Sequence, residues 1–166
     1  MKIEAAVVFP ADADAVFAML TDEQYVMRKA TAMGALEHDV SVTPLAGGGA
    51  RIRLERTLPA MVPDFVRPLV GDTIRVVQTE DWGPARPDGA RTGRMTATIS
   101  AAPVNLSGEL TLEPSDGSSI HRIEADVRAK VPFVGAKIEK AIGEVILLAA
   151  RKEEQVGAAW LNERSG

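Results

Sequence analysis

The feature that most constrains the fold is a change in the spacing of apolar residues at Pro132. From Val104 up to this proline, apolar and polar residues alternate, which is the period of a strand with one buried face. After it, apolar residues recur at helical spacing as far as Trp160. Each pattern needs an apolar surface to bury. The order therefore predicts a long amphipathic helix lying against one face of an antiparallel sheet.

The terminal helix is predicted over residues 134–161. Its apolar stripe consists of Val134, Ile138, Ala141, Ile142, Val145, Leu148, Ala149, Val156 and Trp160. Such a helix measures roughly 40 Å at about 1.5 Å per residue, which is enough to cross a broad sheet. Between Val145 and Ala150 it is apolar on nearly every side, so we expect its middle to be covered more completely than its ends.

Alternating segments elsewhere predict the strands of the sheet. They begin near Lys2, Leu36, Ile52, Thr73, Met95, Val104 and His121. Residues 47–49 are all glycine and make the reversal of the first hairpin, and a Ser-Asp-Gly turn joins the last two strands. The sequence therefore predicts an α+β fold with a curved, seven-stranded antiparallel sheet.

Two short helices are predicted between the first and second strands. Asp12 is the expected N-cap of the first helix. Thr21 and Gln24 have the spacing of a capping box for the second, which Gly34 ends. The opening of the chain is therefore strand, helix, helix.

Length and composition set further limits. The chain has 166 residues, of which 46% are apolar and 25% charged, so we predict one domain over residues 1–166. The net charge is -4 and the arginines are scattered among acids, which argues against nucleic acid as a partner. The absence of cysteine removes disulfides, thiolate metal sites and cysteine nucleophiles.

Targeting signals are not evident. The longest apolar run, residues 145–150, is far shorter than the roughly 20 residues of a membrane-spanning helix. Glu4, Pro10 and Asp12 interrupt any apolar stretch that would serve as a secretory signal. We therefore expect a cytoplasmic protein without a transmembrane segment, and the sequence leaves its oligomeric state open.

The two ends of the chain resemble a known superfamily. The opening segment, residues 7–17 (VVFPADADAVF), and the closing amphipathic helix are similar to the START-like, or helix-grip, superfamily. That superfamily includes Bet v 1-type allergens, polyketide cyclases and lipid-transfer domains. Here Phe-Pro-Ala replaces the usual Ala-Pro order, and residues 78–83 (QTEDWG) are similar to an uncharacterised bacterial branch. The resemblance implies a pocket between the concave face of the sheet and the terminal helix.

A physical argument also favours a pocket. A strongly coiled sheet cannot press flat against a straight helix, so side chains or a guest must fill the gap. The inward positions include the small residues Ala97, Gly108, Ala125 and Ala129. In the alternative interpretation, Met95, Phe133 and the helix isoleucines fill the gap themselves.

Polar residues interrupt the face that is predicted to line the pocket. If the glycine-rich reversal is tight, Val40 opposes Leu54 and His38 lies near Arg56. Gln78 and Glu80 share a face with Trp82, which either stacks on a ligand ring or packs at the rim. Buried polar groups need partners, so the polar residues contact a ligand head group or form an internal network. We expect a structural role for His121. The predicted ligand-binding residues are His38, Arg56, Gln78, Glu80, Trp82, Met95, Ala97, Ile99, Leu106, Gly108, Phe133, Ile138, Ile142 and Val145.

Residues 58–71 are the least regular part of the sequence. Pro59, Pro63 and Pro68 disfavour both helix and strand. The segment nevertheless contains apolar residues that need a surface to cover. We predict that it is a lid over the pocket, with dimer contact or membrane-surface adhesion as alternatives. The lid residues are Met61, Val62, Phe65, Val66 and Leu69.

Three functions are compatible with these patterns. The first is binding or transport of an apolar small molecule or lipid in the pocket. The second is a protein-interaction or chaperone-assisting role, and the third is a cyclase-type enzyme that would use His38 or Glu80 as acid or base. No residue is assigned as catalytic. No cofactor or metal is expected, because two distant histidines without cysteine give no zinc spacing.

Overall fold

The protein is described by a computed structural model that covers residues 1–100 and 102–165. The predicted domain also includes Ala101 and Gly166, which lie outside the described residues. In chain order the elements are β1 (Lys2–Phe9), α1 (Ala13–Leu20), α2 (Glu23–Ala32), β2 (Glu37–Pro44), β3 (Ala50–Pro59), α3 (Arg67–Val70), β4 (Thr73–Trp82), β5 (Arg91–Ile99), β6 (Val104–Ser115), β7 (Ser118–Ala129) and α4 (Gly135–Ser165). The seven strands form one antiparallel sheet in the order β1-β7-β6-β5-β4-β3-β2, which confirms the predicted fold class.

The register of the first hairpin is the one that the sequence predicts. Val40 pairs with Leu54, and His38 pairs with Arg56. The reversal requires glycine, since residues 47 and 48 have φ values of 77° and 92°. The short loop fixes which residues of β2 and β3 share a face.

The two short helices begin at aspartate side chains. Asp12 accepts a hydrogen bond from the backbone N–H of Ala15 at 2.8 Å, as predicted. The predicted cap of the second helix was wrong, because Asp22 accepts from the N–H of Gln24 at 2.8 Å. The hydroxyl of Thr21 instead donates to the carbonyl of Phe17 and closes the end of α1.

Two glycines bring α4 close to the edge strand β1. A Cβ at Gly157 would lie 2.3 Å from Cε1 of Phe9, and one at Gly143 would lie 3.0 Å from Cδ1 of Ile3. These contacts hold both halves of α4 against β1. The region between α4 and the middle of the sheet stays wider.

The apolar core is divided into two clusters. The larger cluster lies where α1, α2 and the C-terminal half of α4 meet the sheet, and it includes Phe9, Tyr25 and Trp160. The smaller lies under the N-terminal half of α4 and includes Val66 and Ile138. The division places a space between the clusters beneath α4.

The middle of α4 is less covered than the sequence predicts. The side chains of Val145, Leu147 and Leu148 are exposed, although this stretch is apolar on nearly every side. The prediction was wrong because only the inner face of the helix meets the protein. Across residues 1–100 and 102–165, no helix is long and apolar enough to cross a membrane.

Candidate functional site

A cavity of about 290 Å³ lies between the concave face of the sheet and α4. Strands β3 to β7 supply its floor, α4 its roof, and residues 58–70 one of its sides. Most of the wall is apolar. The small side chains of Ala97 and Ala125 leave room between the sheet and the helix, as the sequence analysis predicts.

Most residues that the sequence assigns to ligand binding do line this cavity. From the sheet and the helix these are Arg56, Gln78, Glu80, Met95, Ala97, Ile99, Leu106, Ile138, Ile142 and Val145. From the predicted lid they are Met61, Val62, Val66 and Leu69. The alternating pattern of the strands was therefore sufficient to identify the inward face.

Two sequence-assigned residues of the sheet lie outside the wall. Trp82 is buried among aromatic rings, with its centroid 6.2 Å from that of Phe17 and 5.6 Å from that of His121. Gly108 lies where β6 bends onto β7, since a Cβ there would lie 2.6 Å from the carbonyl oxygen of Glu124. Phe17 of α1 covers Trp82, and the backbone of β7 lies directly beside Gly108.

Three further sequence-assigned residues point away from the cavity. His38 is on the edge strand β2, exposed, and its Nε2 lies 3.4 Å from Oγ1 of Thr31 in α2. Phe133 is fully exposed in the turn before α4, with a φ of 66°. Phe65 is partly exposed, and Nζ of Lys137 lies 5.8 Å from its ring centroid. These side chains meet helix ends or solvent and do not line the wall.

One end of the cavity is polar. A chain of hydrogen bonds runs from Arg56 to Oε1 of Gln78 at 3.3 Å, and from Nε2 of Gln78 to Oε1 of Glu80 at 2.8 Å. Nε1 of Trp82 donates to the second oxygen of Glu80 at 3.1 Å. Each carboxylate oxygen of Glu80 therefore accepts one hydrogen bond, which orients this side chain.

A buried ion pair lies at the same end. Nζ of Lys29 on α2 is 3.0 Å from Oε1 of Glu153 on α4. Burial opposes the charged form of each group, but their mutual attraction outweighs it, so the pKa of Lys29 is raised and that of Glu153 is lowered. Both groups are charged near neutral pH.

His121 completes the polar end. Its side chain is 3% exposed and lines the cavity, although the sequence favoured a structural role near a turn. Among the described residues, neither ring nitrogen has a hydrogen-bond partner. Burial lowers the pKa of His121 below its usual 6.5 in spite of the nearby Glu153 and Glu80 carboxylates. The imidazole is therefore neutral at pH 7 and keeps an unused donor and acceptor.

Lys29 and Glu153 were not predicted as residues of the cavity. A helical signal for Glu153 does exist, because it lies three residues after Ala150 and seven before Trp160, on the apolar stripe of α4. Lys29 likewise follows Tyr25 by four residues. A charged residue on an apolar stripe indicates a buried ion pair. Two such residues of opposite charge, Lys29 and Glu153, could therefore have been predicted as partners.

The site lacks a recognisable metal centre. Within the part of the chain that the structure covers, no group of three or more His, Cys, Asp or Glu side chains is arranged to hold a metal ion.

Comparison with known proteins places the fold. A START superfamily protein from Mycobacterium smegmatis matches with a TM-score of 0.61 at 13% identity, over 96% of this chain and 98% of that one. The Zhui aromatase/cyclase from Streptomyces matches with a TM-score of 0.63 at 16% identity, over 100% and 96%. At these identities the likeness concerns the fold alone, and it confirms the START-like helix-grip fold.

The sequence comparisons give the family. An uncharacterized protein of Mycobacterium tuberculosis is 29% identical over 102 residues, which are 60% of this chain and 58% of that protein. The sequence profile of a family described as "Protein of unknown function (DUF2505)" matches residues 4–161, nearly the whole chain. This protein therefore belongs to the DUF2505 family.

Proposed function

We propose that this protein binds and carries a hydrophobic small molecule in the cavity beneath α4. The observation that carries the proposal is the cavity itself, an apolar space of about 290 Å³ with polar groups gathered at one end. Ligand sites in proteins have this composition, with apolar walls that supply affinity and a few polar groups that orient the ligand. The START-like fold supports the same function.

The size of the cavity limits the ligand. A volume of about 290 Å³ is at the lower end of the roughly 300–1,000 Å³ of small-molecule sites. This favours a single ring system or one short alkyl chain over a lipid with two long acyl chains. Residues 61–70 supply apolar wall at one side, so we propose that this segment is the lid that moves when the ligand enters.

A fluorescent probe tests the proposal directly. N-phenyl-1-naphthylamine is small, neutral and emits strongly in apolar surroundings, so we expect saturable binding to the purified protein. Ala97→Trp fills the cavity and should weaken binding at least tenfold. Thr96→Trp is the matched control, since Thr96 lies on the opposite, exposed face of β5 and its variant should bind the probe normally. If both variants bound the probe as tightly as the unaltered protein does, the cavity would not be the binding site of the probe.

The natural ligand is accessible to mass spectrometry. Gently purified protein should show a mass increment in native spectra that organic extraction releases as a hydrophobic compound. Protein that is purified without any bound compound and that also fails to bind the probe would contradict the proposed function.

A cyclase-type enzyme is the second candidate, and His121 is the observation that favours it. The predicted acid or base was His38 or Glu80, but His38 does not line the cavity, and each oxygen of Glu80 already accepts a hydrogen bond from a neighbouring side chain. A buried neutral imidazole is suited to abstract a proton from a bound ligand. An enzyme would change the mass or absorption spectrum of the extracted compound on re-incubation, and His121→Gln would abolish that change. A carrier returns the compound unaltered.

A further inference from the structure

The cavity is amphipathic along its length. Its polar wall groups belong to Lys29, Arg56, Gln78, Glu80, His121 and Glu153. On α4, Ile138 lies 15 residues before Glu153, a distance of roughly 22 Å along the helix axis. The region around Ile138 and Val66 is apolar. The cavity therefore has a polar end and an apolar end.

The charges of the polar end cancel. Lys29 pairs with Glu153 at 3.0 Å, and Arg56 is joined to Glu80 through Gln78. His121 is the remaining titratable group of the wall, and it is buried and neutral. A carboxylate or phosphate on the ligand would lie beside Glu80 and Glu153 and would give the polar end a net negative charge, which burial disfavours.

Unused hydrogen-bonding capacity remains at this end. In residues 1–100 and 102–165, Nε of Arg56 and both ring nitrogens of His121 are buried without a partner. A buried polar group without a partner destabilises the fold, so each of these atoms is a position for a ligand atom. A hydroxyl group can accept from the guanidinium or donate to the unprotonated ring nitrogen, and a carbonyl can accept from either N–H.

We infer that the ligand is an uncharged amphipathic molecule, whose hydroxyl or carbonyl group contacts His121 and Arg56 while its alkyl or ring portion fills the apolar part of the cavity. The inference rests on the proposed binding function and adds the chemical class of the ligand. It sets alcohols, phenols and ketones apart from fatty acids of the same length.

Competition between two ligands of equal chain length tests the inference. 1-Decanol and decanoate are used at pH 7.5 to displace N-phenyl-1-naphthylamine from the full-length protein. We expect decanol to bind at least tenfold more tightly. Decanol is also more apolar than decanoate, so this difference in affinity combines the effects of charge and of hydrophobicity. A variant that changes the charge of the polar end separates the two effects.

Glu153→Gln removes one negative charge from the polar end and leaves Lys29 without its partner. The ratio of the decanoate affinity to the decanol affinity should then rise at least tenfold over that of the unaltered protein. Glu154→Gln, on the exposed side of the same turn, is the matched control and should alter neither affinity. Glu80→Gln should act in the same direction as Glu153→Gln, and near-ultraviolet circular dichroism checks that each variant is folded.

His121→Phe tests the hydrogen bond. It should lower the affinity for decanol at least fivefold more than it lowers the affinity for the probe, which has no hydroxyl or carbonyl group. Decanoate binding as tightly as decanol, or an unchanged ratio of the two affinities in both glutamate variants, would overturn the inference and leave the binding function intact. Failure of the unaltered protein to bind the probe and both amphiphiles would overturn the two together.

Discussion

The two halves of α4 have the same kind of apolar stripe but meet different surroundings. In the C-terminal half, Trp160 packs edge-on against Tyr25 at 5.4 Å between ring centroids, and Gly157 lies against Phe9. In the N-terminal half, Ile138 and Ile142 face the cavity. The comparison teaches that helical periodicity identifies a buried face without telling what is buried against it. One half anchors the helix, and the other half covers a space.

The largest effect is expected in the anchored half, at the Lys29–Glu153 pair. Lys29→Met leaves Glu153 as an uncompensated buried charge and should lower the free energy of unfolding by about 3–5 kcal/mol. Urea denaturation measures the change. The double variant Lys29→Met/Glu153→Leu removes both charges and should recover most of the loss. A single variant as stable as the unaltered protein would contradict the buried placement of this pair.

The two helix glycines should respond differently to alanine. At Gly157 the new Cβ would meet the buried ring of Phe9, which has no room to move, so we expect a destabilisation of about 1–3 kcal/mol. At Gly143 the nearest atom is the terminal methyl of Met1, a flexible side chain, and alanine is favoured in helices by about 1 kcal/mol. Thermal unfolding of Gly143→Ala should therefore show no loss of stability. Equal losses at both positions would mean that the two halves are packed alike.

The cavity half should respond in ligand kinetics. Val66 is buried in residues 58–71 and packs near Ile138, so Val66→Ala should weaken closure of this segment by about 1 kcal/mol. A loss of that size corresponds to roughly fivefold faster release of N-phenyl-1-naphthylamine, which stopped-flow fluorescence measures. Asp64→Ala is the control, because Asp64 is exposed and does not line the cavity. Identical release rates in all three proteins would remove the role of this segment as a lid.

The smallest effect is expected in the pH dependence of stability. Because burial lowers the pKa of His121 from 6.5, the unfolded chain binds more protons below that pH, and the free energy of unfolding falls as the pH falls. Burial raises the pKa of Glu153, but the attraction of Lys29 outweighs burial and lowers this pKa below 4.5. The contribution of Glu153 to the free energy of unfolding is therefore lost only at more acidic pH. Between pH 4.5 and 6.5, His121→Gln should have a shallower slope than the unaltered protein.

The fold could be predicted from the sequence because the signals that indicate strands, turns and helices are local. The pairing of His38 with Arg56 follows from alternation on two adjacent strands and a tight glycine reversal. Alternation also identified Met95 and Ala97 as inward residues. Such signals depend only on residues that are close in the sequence. From β2 to β7, each strand pairs with the next strand along the chain, so these local signals are sufficient to predict most of the sheet.

The polar end of the cavity was harder to predict, because it depends on distant partners. Glu153 can be buried as a charged group because it pairs with Lys29, which lies 124 residues earlier in the chain. Trp82 shares the strand face of Gln78 and Glu80, but Phe17 of α1 covers it. Periodicity gives the side of an element on which a residue lies. The neighbours on that side are fixed only when the helices dock.

The glycine contacts between α4 and β1 have a practical consequence. A helix fixed at two points along its length cannot lift away from the sheet as a rigid rod. Under the proposed function, a ligand would therefore enter beside the helix, under residues 58–71, and the rate of its uptake would be set in a different place from its selection. Exchanging residues 58–71 between related proteins should change the rates of ligand uptake and release with little effect on selectivity. Substitutions around His121 should change ligand selectivity with little effect on these rates.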